Sequence, residues 1–268
     1  MKQVDKKINL KKVVNMNNYK LIQGDCIEEM NKLIDKGVKV DMVLTDLPYS
    51  ITQCKWDTNV DVNKMWKCLK QLTNSNTPII LFGNEPFSSN MRLSQPTLYK
   101  YDIIWDKEVR TGHLNAKKQP LRQYENIMVF YNKQPTYNPL MWTGKETNHS
   151  HRTKKKTTNV YGKHHEVPTK MTKQKYPTNI VKFNARKDEC NNTKRLHPTQ
   201  KPVKLLEYLI LTYTNKGDTI LDFTMGSGST GVACINTNRN FIGIEIDTNY
   251  YEIANDRLNK ANKQNKLL

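Results

Sequence analysis

The 268-residue sequence predicts an α/β protein with a doubly wound, parallel-rich sheet that is interrupted by an inserted region. Apolar, strand-like runs alternate with segments of helical period, and one long polar stretch breaks this alternation. A glycine loop follows a late strand, and only one further strand and helix follow that loop. The other strands of its sheet must come from earlier residues, which predicts a circularly permuted order.

The first half of the sequence supplies most of the predicted strands. Residues 19–23 form a predicted strand, 24–25 a turn, and 26–36 a helix with its apolar side chains on one face. A second strand at 40–44 leads to Asp46. Further strands are predicted at 78–82, 101–105 and 126–131, with a helix at 61–73.

Regular elements return at Pro202, which is well placed near the start of a helix. The residues that follow it have a helical apolar period. A strand at 218–222, the glycine loop, a helix from about Ser229, a strand at 240–246 and a last helix complete the predicted order.

The segment from Asn132 to about Arg195 is rich in Lys, Thr, Asn and Pro, and it has no sustained apolar period. A stretch this long without regular elements is more often functional or disordered than a plain connection. We therefore predict one main domain made of residues 1–131 and 197–268, and an insertion at 132–196.

The sequence carries a large excess of positive charge. Forty-three Lys and Arg residues against 25 Asp and Glu residues give a formal net charge of +18. Such an excess favours polyanionic partners such as nucleic acids. A lysine-rich composition inherited from an AT-rich genome is the alternative, and both explanations can hold together.

Cysteine, histidine and apolar patterns exclude several classes of protein. The five cysteines are scattered without a C-x-x-C pair, so neither a disulfide framework nor a zinc knuckle is predicted. No metal site is predicted at His149, His151, His164 and His165, because no companion cysteines stand near them. No membrane span or signal segment is recognised, and a cytoplasmic location is expected.

The glycine loop indicates a site for a nucleoside cofactor. Gly226, Gly228 and Gly231 match G-x-G-x-x-G after a strand and before a helix, and Glu245 follows nineteen residues beyond the first glycine. This pattern alone suits a dehydrogenase, so an NAD(P)-dependent oxidoreductase stays open. A phosphate-binding P-loop is disfavoured because no Lys precedes Ser229, and a simple tight turn is the structural alternative.

The sequence Asp46-Leu47-Pro48-Tyr49 follows a predicted strand and suits an exocyclic amine on a planar ring. The lone pair of such an amine is delocalised into the ring, so the amine is a poor nucleophile. Acceptors that hold its N–H groups favour a pyramidal nitrogen whose lone pair is available. Asp46 offers a carboxylate, Pro48 a carbonyl and Tyr49 a stacking face. An ordinary turn after a strand is the alternative.

These motifs, in this order, resemble the β class of S-adenosylmethionine-dependent DNA amino methyltransferases. In that class a D-P-P-Y-type catalytic motif precedes an F-x-G-x-G cofactor motif. The resemblance covers most of the chain and rests on residues 24–26, 46–49, 81–83, 115–118, 197–202 and 223–228.

The resemblance implies a Rossmann-like methyltransferase sheet with S-adenosylmethionine as the cofactor. Phe223, Gly226 and Gly228 would form the cofactor loop, and Glu245 would hold the ribose hydroxyls. Asp46, Pro48 and Tyr49 would form the catalytic motif, and Asp46 is also included among the residues expected to contact the cofactor.

Two further residues are assigned by the same resemblance. Asp25 is similar to the acid that meets the adenine of the cofactor, and a helix N-cap is its alternative role. Lys201 would lie near the methionine carboxylate, and a solvated lysine is the alternative. The sequence departs from the family pattern at Leu47, where a proline is commoner, and at Met225, where a small or cyclic residue is common.

The family's target-recognition region normally lies between the catalytic and cofactor halves, which corresponds to residues 132–196. Its cations would neutralise phosphates, and its aromatic side chains would stack or pack. A solvated insertion is the alternative. The predicted DNA-binding residues are Lys154, Lys155, Lys156, Arg186, Lys187, Lys194 and Arg195.

The implied reaction is methyl transfer from S-adenosylmethionine to N6 of an adenine flipped out of double-stranded DNA. Family members with Asp at the first motif position mostly modify adenine, and cytosine N4 is the near alternative. More distant alternatives are the oxidoreductase and an inactive nucleic-acid-binding homologue. Family analogy suggests a homodimer and leaves a restriction endonuclease partner open.

Overall fold

The computed structural model describes residues 19–48, 60–144, 173–186 and 200–265. Its strands are β1 (Tyr19–Gln23), β2 (Met42–Thr45), β3 (Ile79–Gly83), β4 (Tyr99–Thr111), β5 (Arg122–Phe130), β6 (Trp142–Thr143), β7 (Gln174–Lys175), β8 (Ile180–Lys182), β9 (Thr219–Asp222) and β10 (Asn240–Glu245). Its α-helices are α1 (Cys26–Asp35), α2 (Val62–Leu72), α3 (Phe87–Ser94), α4 (Val203–Tyr213), α5 (Ser229–Asn236) and α6 (Thr248–Asn265).

Eight strands form one sheet in the order β1-β10-β9-β2-β3-β5-β4-β8. The pairs from β1 through β10, β9 and β2 to β3 are parallel. The strand β5 runs antiparallel to both of its neighbours, β3 and β4, and β8 is parallel to β4. The late strands β9 and β10 lie between the early strands β2 and β1, which confirms the predicted permuted α/β fold.

The central strands are buried on both faces because helices cover each side of the sheet. All residues of β2 and β3 are buried, and their apolar sequences suit a parallel sheet covered on both faces. One core joins the sheet to α1 and α2, and the other joins it to α4, α5 and α6. This two-sided core fixes the strand ends from which the site is built.

Several predicted elements differ from the observed ones. The strand β4 continues well beyond the predicted 101–105, since Asp106 and Thr111 in its polar second half pair with Tyr124 and Arg122 of β5. The helix α3 was not predicted, and its Ser- and Asn-rich sequence has a weak apolar period. The expectation that residues 132–195 lack regular elements is wrong, because β6, β7 and β8 lie there. These strands of two or three residues are too short to give a sequence period.

The chain forms two compact units, Met1–Asn138 with Asn179–Leu268, and Pro139–Thr178. In the smaller unit β6 pairs with β7, and the Trp142 indole donates a hydrogen bond to the Tyr176 carbonyl at 3.2 Å. The predicted boundaries at 132 and 196 remain a prediction. Within the described ranges, no helix has the length and apolar character needed to cross a membrane.

Candidate active site

Four carboxylates lie where parallel strands end at one edge of the sheet. Asp222 ends β9 and Glu245 ends β10, while Asp46 and Asp25 follow β2 and β1 closely. The carboxyl edge of an open α/β sheet is where such folds bind ligands. All four carboxylates line one cavity of about 790 Å³. This volume lies within the range of about 300–1,000 Å³ typical of ligand sites.

The glycine loop between β9 and α5 needs its glycines for backbone shape and for space. Gly226 and Gly228 have φ angles of 51° and 77°, in the left-handed region that glycine tolerates best. A Cβ atom at Gly228 would lie 2.9 Å from the Ala254 Cβ. The loop is therefore packed directly on α6 while its other side faces the cavity.

Glu245 is fixed by backbone donors on both of its oxygens. Oε2 accepts from the Gly226 N–H and Oε1 from the Asp247 N–H, each at 2.8 Å. Burial raises the pKa of the Glu245 carboxyl, while these hydrogen bonds oppose the rise. A carboxylate has about four acceptor positions, so about two are left for hydroxyl groups of a ligand.

Asp25 caps the helix α1 and also lines the cavity. Its Oδ1 atom accepts from the Ile27 N–H at 2.9 Å and from the Glu28 N–H at 3.0 Å. The alternative role as an N-cap is therefore observed. The cap does not exclude a ligand contact, because both backbone donors go to the same carboxylate oxygen.

A buried hydrogen-bond network connects the ends of β2 and β9. The Asp222 carboxylate accepts from the Thr45 hydroxyl at 2.8 Å and from the Thr230 hydroxyl at 2.6 Å. The Thr224 hydroxyl lies 2.6 Å from the Thr45 hydroxyl and donates to the Asp46 carbonyl at 3.1 Å. Burial raises the Asp222 pKa to about 6 although the threonine hydrogen bonds oppose the shift. The network fixes the backbone that carries Asp46.

The Asp46 carboxylate is held by a buried lysine from a distant part of the chain. The Lys201 ammonium donates to Asp46 Oδ2 at 2.6 Å and lies 2.9 Å from Glu125 Oε1. It also lies 5.0 Å above the Phe82 ring. Lys201 is 8% exposed. Burial alone would lower the pKa of this ammonium, but Asp46 and Glu125 raise it above its usual value.

The other predicted site residues divide between described and undescribed positions. Phe223 is buried below the glycine loop, and Pro48 lines the cavity beside Asp46. Arg186 is exposed and lines the same cavity, which joins one predicted DNA-binding residue to the site. The other predicted positions lie outside the described residues: Tyr49, Lys154, Lys155, Lys156, Lys187, Lys194 and Arg195.

Sequence reasoning missed Glu125, Lys107 and the carboxylate of Asp222. Glu125 immediately precedes the strand predicted at 126–131 and is itself buried, so an acid adjoining a buried strand was the available signal. Lys107 lines the cavity from β4 and is also buried. Asp222 was predicted only as the end of a strand, although an acid just before a glycine loop could have been singled out.

Metal ligation has no support in the part of the chain that the structure describes. No group of three or more His, Cys, Asp or Glu side chains is suitably placed to hold an ion among those residues. The four histidines considered from the sequence, at 149, 151, 164 and 165, lie outside the described ranges.

Comparison with known proteins identifies similar sequences over most of the chain. The family model of a DNA methylase, N6_N4_Mtase, matches residues 40–256. The DNA adenine methyltransferase YhdJ of Escherichia coli K12 is 28% identical over 258 residues, covering 90% of this chain and 83% of that protein. The type II methyltransferase M.HpaI of Haemophilus parainfluenzae is 27% identical over 251 residues, covering 90% and 74%.

Solved structures show the same architecture. A complex of M1.HpyAVI with SAM has a TM-score of 0.60 and 26% identity, covering 90% of this chain and all of that one. The cytosine-N4-specific PvuII DNA methyltransferase has a TM-score of 0.63 and covers 92% of each chain. At 12% identity, the second likeness shows the fold alone.

Proposed function

Because this chain belongs to the DNA methylase family, we propose that it transfers the methyl group of S-adenosylmethionine to N6 of an adenine in double-stranded DNA. The family resemblance predicted from the ordered motifs is confirmed, and S-adenosylmethionine is the cofactor of the reaction. One observation carries the proposal for the site: the Asp46 carboxylate and the glycine loop face the same cavity.

The residues at the glycine loop fit this cofactor. Glu245 keeps about two acceptor positions after its two backbone hydrogen bonds, and a ribose has two adjacent hydroxyls to offer. Asp25 lines the same cavity, and only one of its carboxylate oxygens is engaged in the helix cap. When bound, S-adenosylmethionine supplies an electrophilic methyl group on a sulfonium centre.

Asp46 and Pro48 prepare the amine of the target base. Their carboxylate and carbonyl oxygens accept the two N–H groups, which directs the nitrogen lone pair toward the electrophile. Preorganisation is the main contribution, because the Thr45 and Thr224 network already fixes the Asp46 backbone. Asp46 can also receive the proton that the amino nitrogen loses after it gains a methyl group. Tyr49 stacks on the extruded ring in this proposal.

Lys201 contributes by positioning Asp46. The ion pair of 2.6 Å between them fixes one carboxylate oxygen, and burial makes that contact strong. Glu125 holds the same ammonium from the other side at 2.9 Å. These contacts support a role for Lys201 on the target side of the cavity, and its contact with the methionine carboxylate stays a prediction.

Adenine is favoured over cytosine by the relatives. YhdJ, a relative that is matched over most of its length, is named as an adenine methyltransferase, whereas the cytosine-N4 enzyme is similar in fold alone. The oxidoreductase alternative is not favoured, because the family match extends over both halves of the chain.

DNA is the substrate, and the remaining partners belong to the proposal. In this proposal the DNA phosphates are contacted by Arg186 at the cavity and by six further cations. These are Lys154, Lys155, Lys156, Lys187, Lys194 and Arg195. The type II names of several relatives support a restriction endonuclease partner. A homodimer is proposed by family analogy, and a cytoplasmic location is proposed because DNA is the substrate.

Methyl incorporation tests the proposed function directly. Purified protein is incubated with unmethylated genomic DNA and tritiated S-adenosylmethionine, and the digested nucleosides are separated. We expect label in N6-methyladenine, and the Asp46→Ala variant is the matched control. Label in N4-methylcytosine would replace the proposed base, and absence of label in DNA would overturn the reaction.

A further inference from the structure

The β4–β5 hairpin extends beyond the helix-covered sheet and is strongly basic. From residue 107 to 124 it has five Lys and Arg residues and one acid, Glu108. All residues from 111 to 120 are exposed. None of these five cations forms an ion pair with another residue in the described part of the chain. Unpaired cations on one projecting ribbon suit a polyanion.

The base of the hairpin directs two of its cations into the catalytic cavity. Asp106 pairs with Tyr124, and the next pair is Thr111 with Arg122, so four residues of β4 stand opposite one of β5. Glu108 has a φ of 53° within this bulge. Bulges next to active sites redirect side chains. Lys107 and Arg122 both line the cavity that contains Asp46.

Lys107 is a buried cation without a direct partner among the described residues. It is 9% exposed. Burial lowers the pKa of its ammonium, and the more distant Glu125 carboxylate only partly offsets this effect. A buried ammonium that no anion contacts is unfavourable in the protein alone. An anionic ligand group in the cavity would remove that cost.

The tip of the hairpin carries an apolar side chain without cover. Leu114 lies in a 3-10 turn, His113–Asn115, and is 100% exposed. Lys117 and Lys118 follow within the same tip. Proteins that open stacked DNA combine cations on phosphates with an apolar wedge between base steps. The tip has both components.

We propose that the β4–β5 hairpin is a DNA arm, in which Lys107 and Arg122 hold phosphates beside the target nucleotide and Leu114 wedges into the duplex as the base leaves it. This inference rests on the proposed function, since it concerns how DNA reaches the same cavity. It adds contacts that lie outside the predicted recognition segment. The hairpin belongs to the main unit of the chain.

The first test measures charge. Lys117→Gln with Lys118→Gln is compared with Lys260→Gln with Lys263→Gln, two exposed lysines on α6. Binding to a random-sequence duplex is measured by fluorescence anisotropy at several salt concentrations. In the hairpin variant only, the slope of log K against log salt should fall by about 0.9 for each phosphate that is no longer neutralised. Equal slopes in both variants would overturn the arm.

The second test examines whether Leu114 acts as a wedge, using the Leu114→Ser variant. The melting temperature of this variant should equal that of the wild type, because the Leu114 side chain is fully exposed. On duplexes with the sequence found methylated in DNA from an expressing host, methylation should slow by about tenfold or more. A duplex with the target adenine mismatched needs less work to extrude the base, so it should restore the rate to within about twofold. No loss, or equal loss on both duplexes, would refute the wedge.

The two proposals fail in distinguishable ways. If the wild-type protein adds no methyl group to DNA, the proposed function fails. If it methylates DNA but the hairpin variants behave like the α6 control, only the arm fails. If the hairpin variants change self-association and not DNA binding, the surface contacts a second copy of the chain and the arm is again refuted.

Discussion

The carboxyl edge of the sheet and the β4–β5 hairpin border the same cavity. They differ in whether their polar groups are bonded to other groups of the protein. At the edge, Glu245, Asp222 and Lys201 are all bonded inside the protein. On the hairpin, Lys117 and Lys118 have no carboxylate partner among the described residues. Internal hydrogen bonds preserve the shape of a site, whereas unpaired surface charges are available to a partner.

This contrast indicates which part of the site is complete before DNA arrives. The edge positions its acceptors for a small molecule, so cofactor binding should depend little on salt. The hairpin projects charge, so DNA binding should weaken steeply as salt rises. Substitutions in each region test this division, beginning with the largest expected effect.

Among the residues at the carboxyl edge, substitution of Lys201 should cause the largest loss of stability. Lys201→Met removes the cation between Asp46 and Glu125, and breaking a buried pair in this way costs about 3–5 kcal/mol. Urea unfolding should show a loss of that size, and adding Glu125→Gln should recover part of it. The exposed control Lys260→Met should change stability by less than about 0.5 kcal/mol. A loss in Lys201→Met no larger than the control's would contradict a structural ion pair.

Asp46→Ala should slow methyl transfer strongly while the other residues of the carboxyl edge keep their contacts. Loss of a preorganised acceptor should slow methyl transfer by about 100-fold or more. Glu125 still pairs with Lys201, and S-adenosylmethionine affinity measured by calorimetry should change little. The control is Asp35→Ala at the exposed end of α1. Near-full turnover of the Asp46 variant in single-turnover assays would disprove the assigned role.

The network below Asp46 should appear in the pH dependence of stability. Burial raises the Asp222 pKa to about 6, above the unfolded value near 3.9. The folded chain therefore binds this proton more tightly, and the contribution of Asp222 to the free energy of unfolding falls as pH rises from about 4 to 6. Asp222→Asn should lack that fall, so the two proteins should diverge by about 2 kcal/mol across this window. Parallel curves in urea unfolding at each pH would argue against it.

The smallest effect is expected at Lys154, Lys155 and Lys156, and it provides a reference for the role of the hairpin. Replacing all three with Gln should reduce the salt slope of DNA binding by about 0.9 for each phosphate that these lysines neutralise. S-adenosylmethionine affinity should not change. Anisotropy with the same duplex allows direct comparison with the Lys117 and Lys118 variant. An unchanged slope with normal methylation would assign this lysine run to a solvated loop.

Sequence patterns predicted most of the strands at the edge, because these strands are apolar and buried. Residues 42–45 and 79–83 have almost no polar side chains, so their period and length identify them. The glycine loop was recognisable because left-handed φ angles restrict the residue type. These strands and this loop were therefore predictable because each restricts the residue types at its own positions.

The hairpin and the ion pair were not predictable by the same means. The second half of β4 is polar and depends on pairing with β5, which is a non-local interaction. In the sequence, Glu125 cannot be distinguished from any other acid beside a strand. Only the folded structure shows that Lys201 lies 2.9 Å from it. Such contacts depend on the strand order, which local periodicity does not contain.

The distance along the chain between Asp46 and Lys201 has a consequence for protein synthesis. The two residues are 155 positions apart, and β2 pairs with the late strand β9. During translation, Asp46 is therefore synthesised long before Lys201 and β9, which complete its surroundings. Methylation should begin only after the last third of the chain has been translated. Two fragments divided within residues 139–178 should be inactive separately and should regain activity when co-expressed.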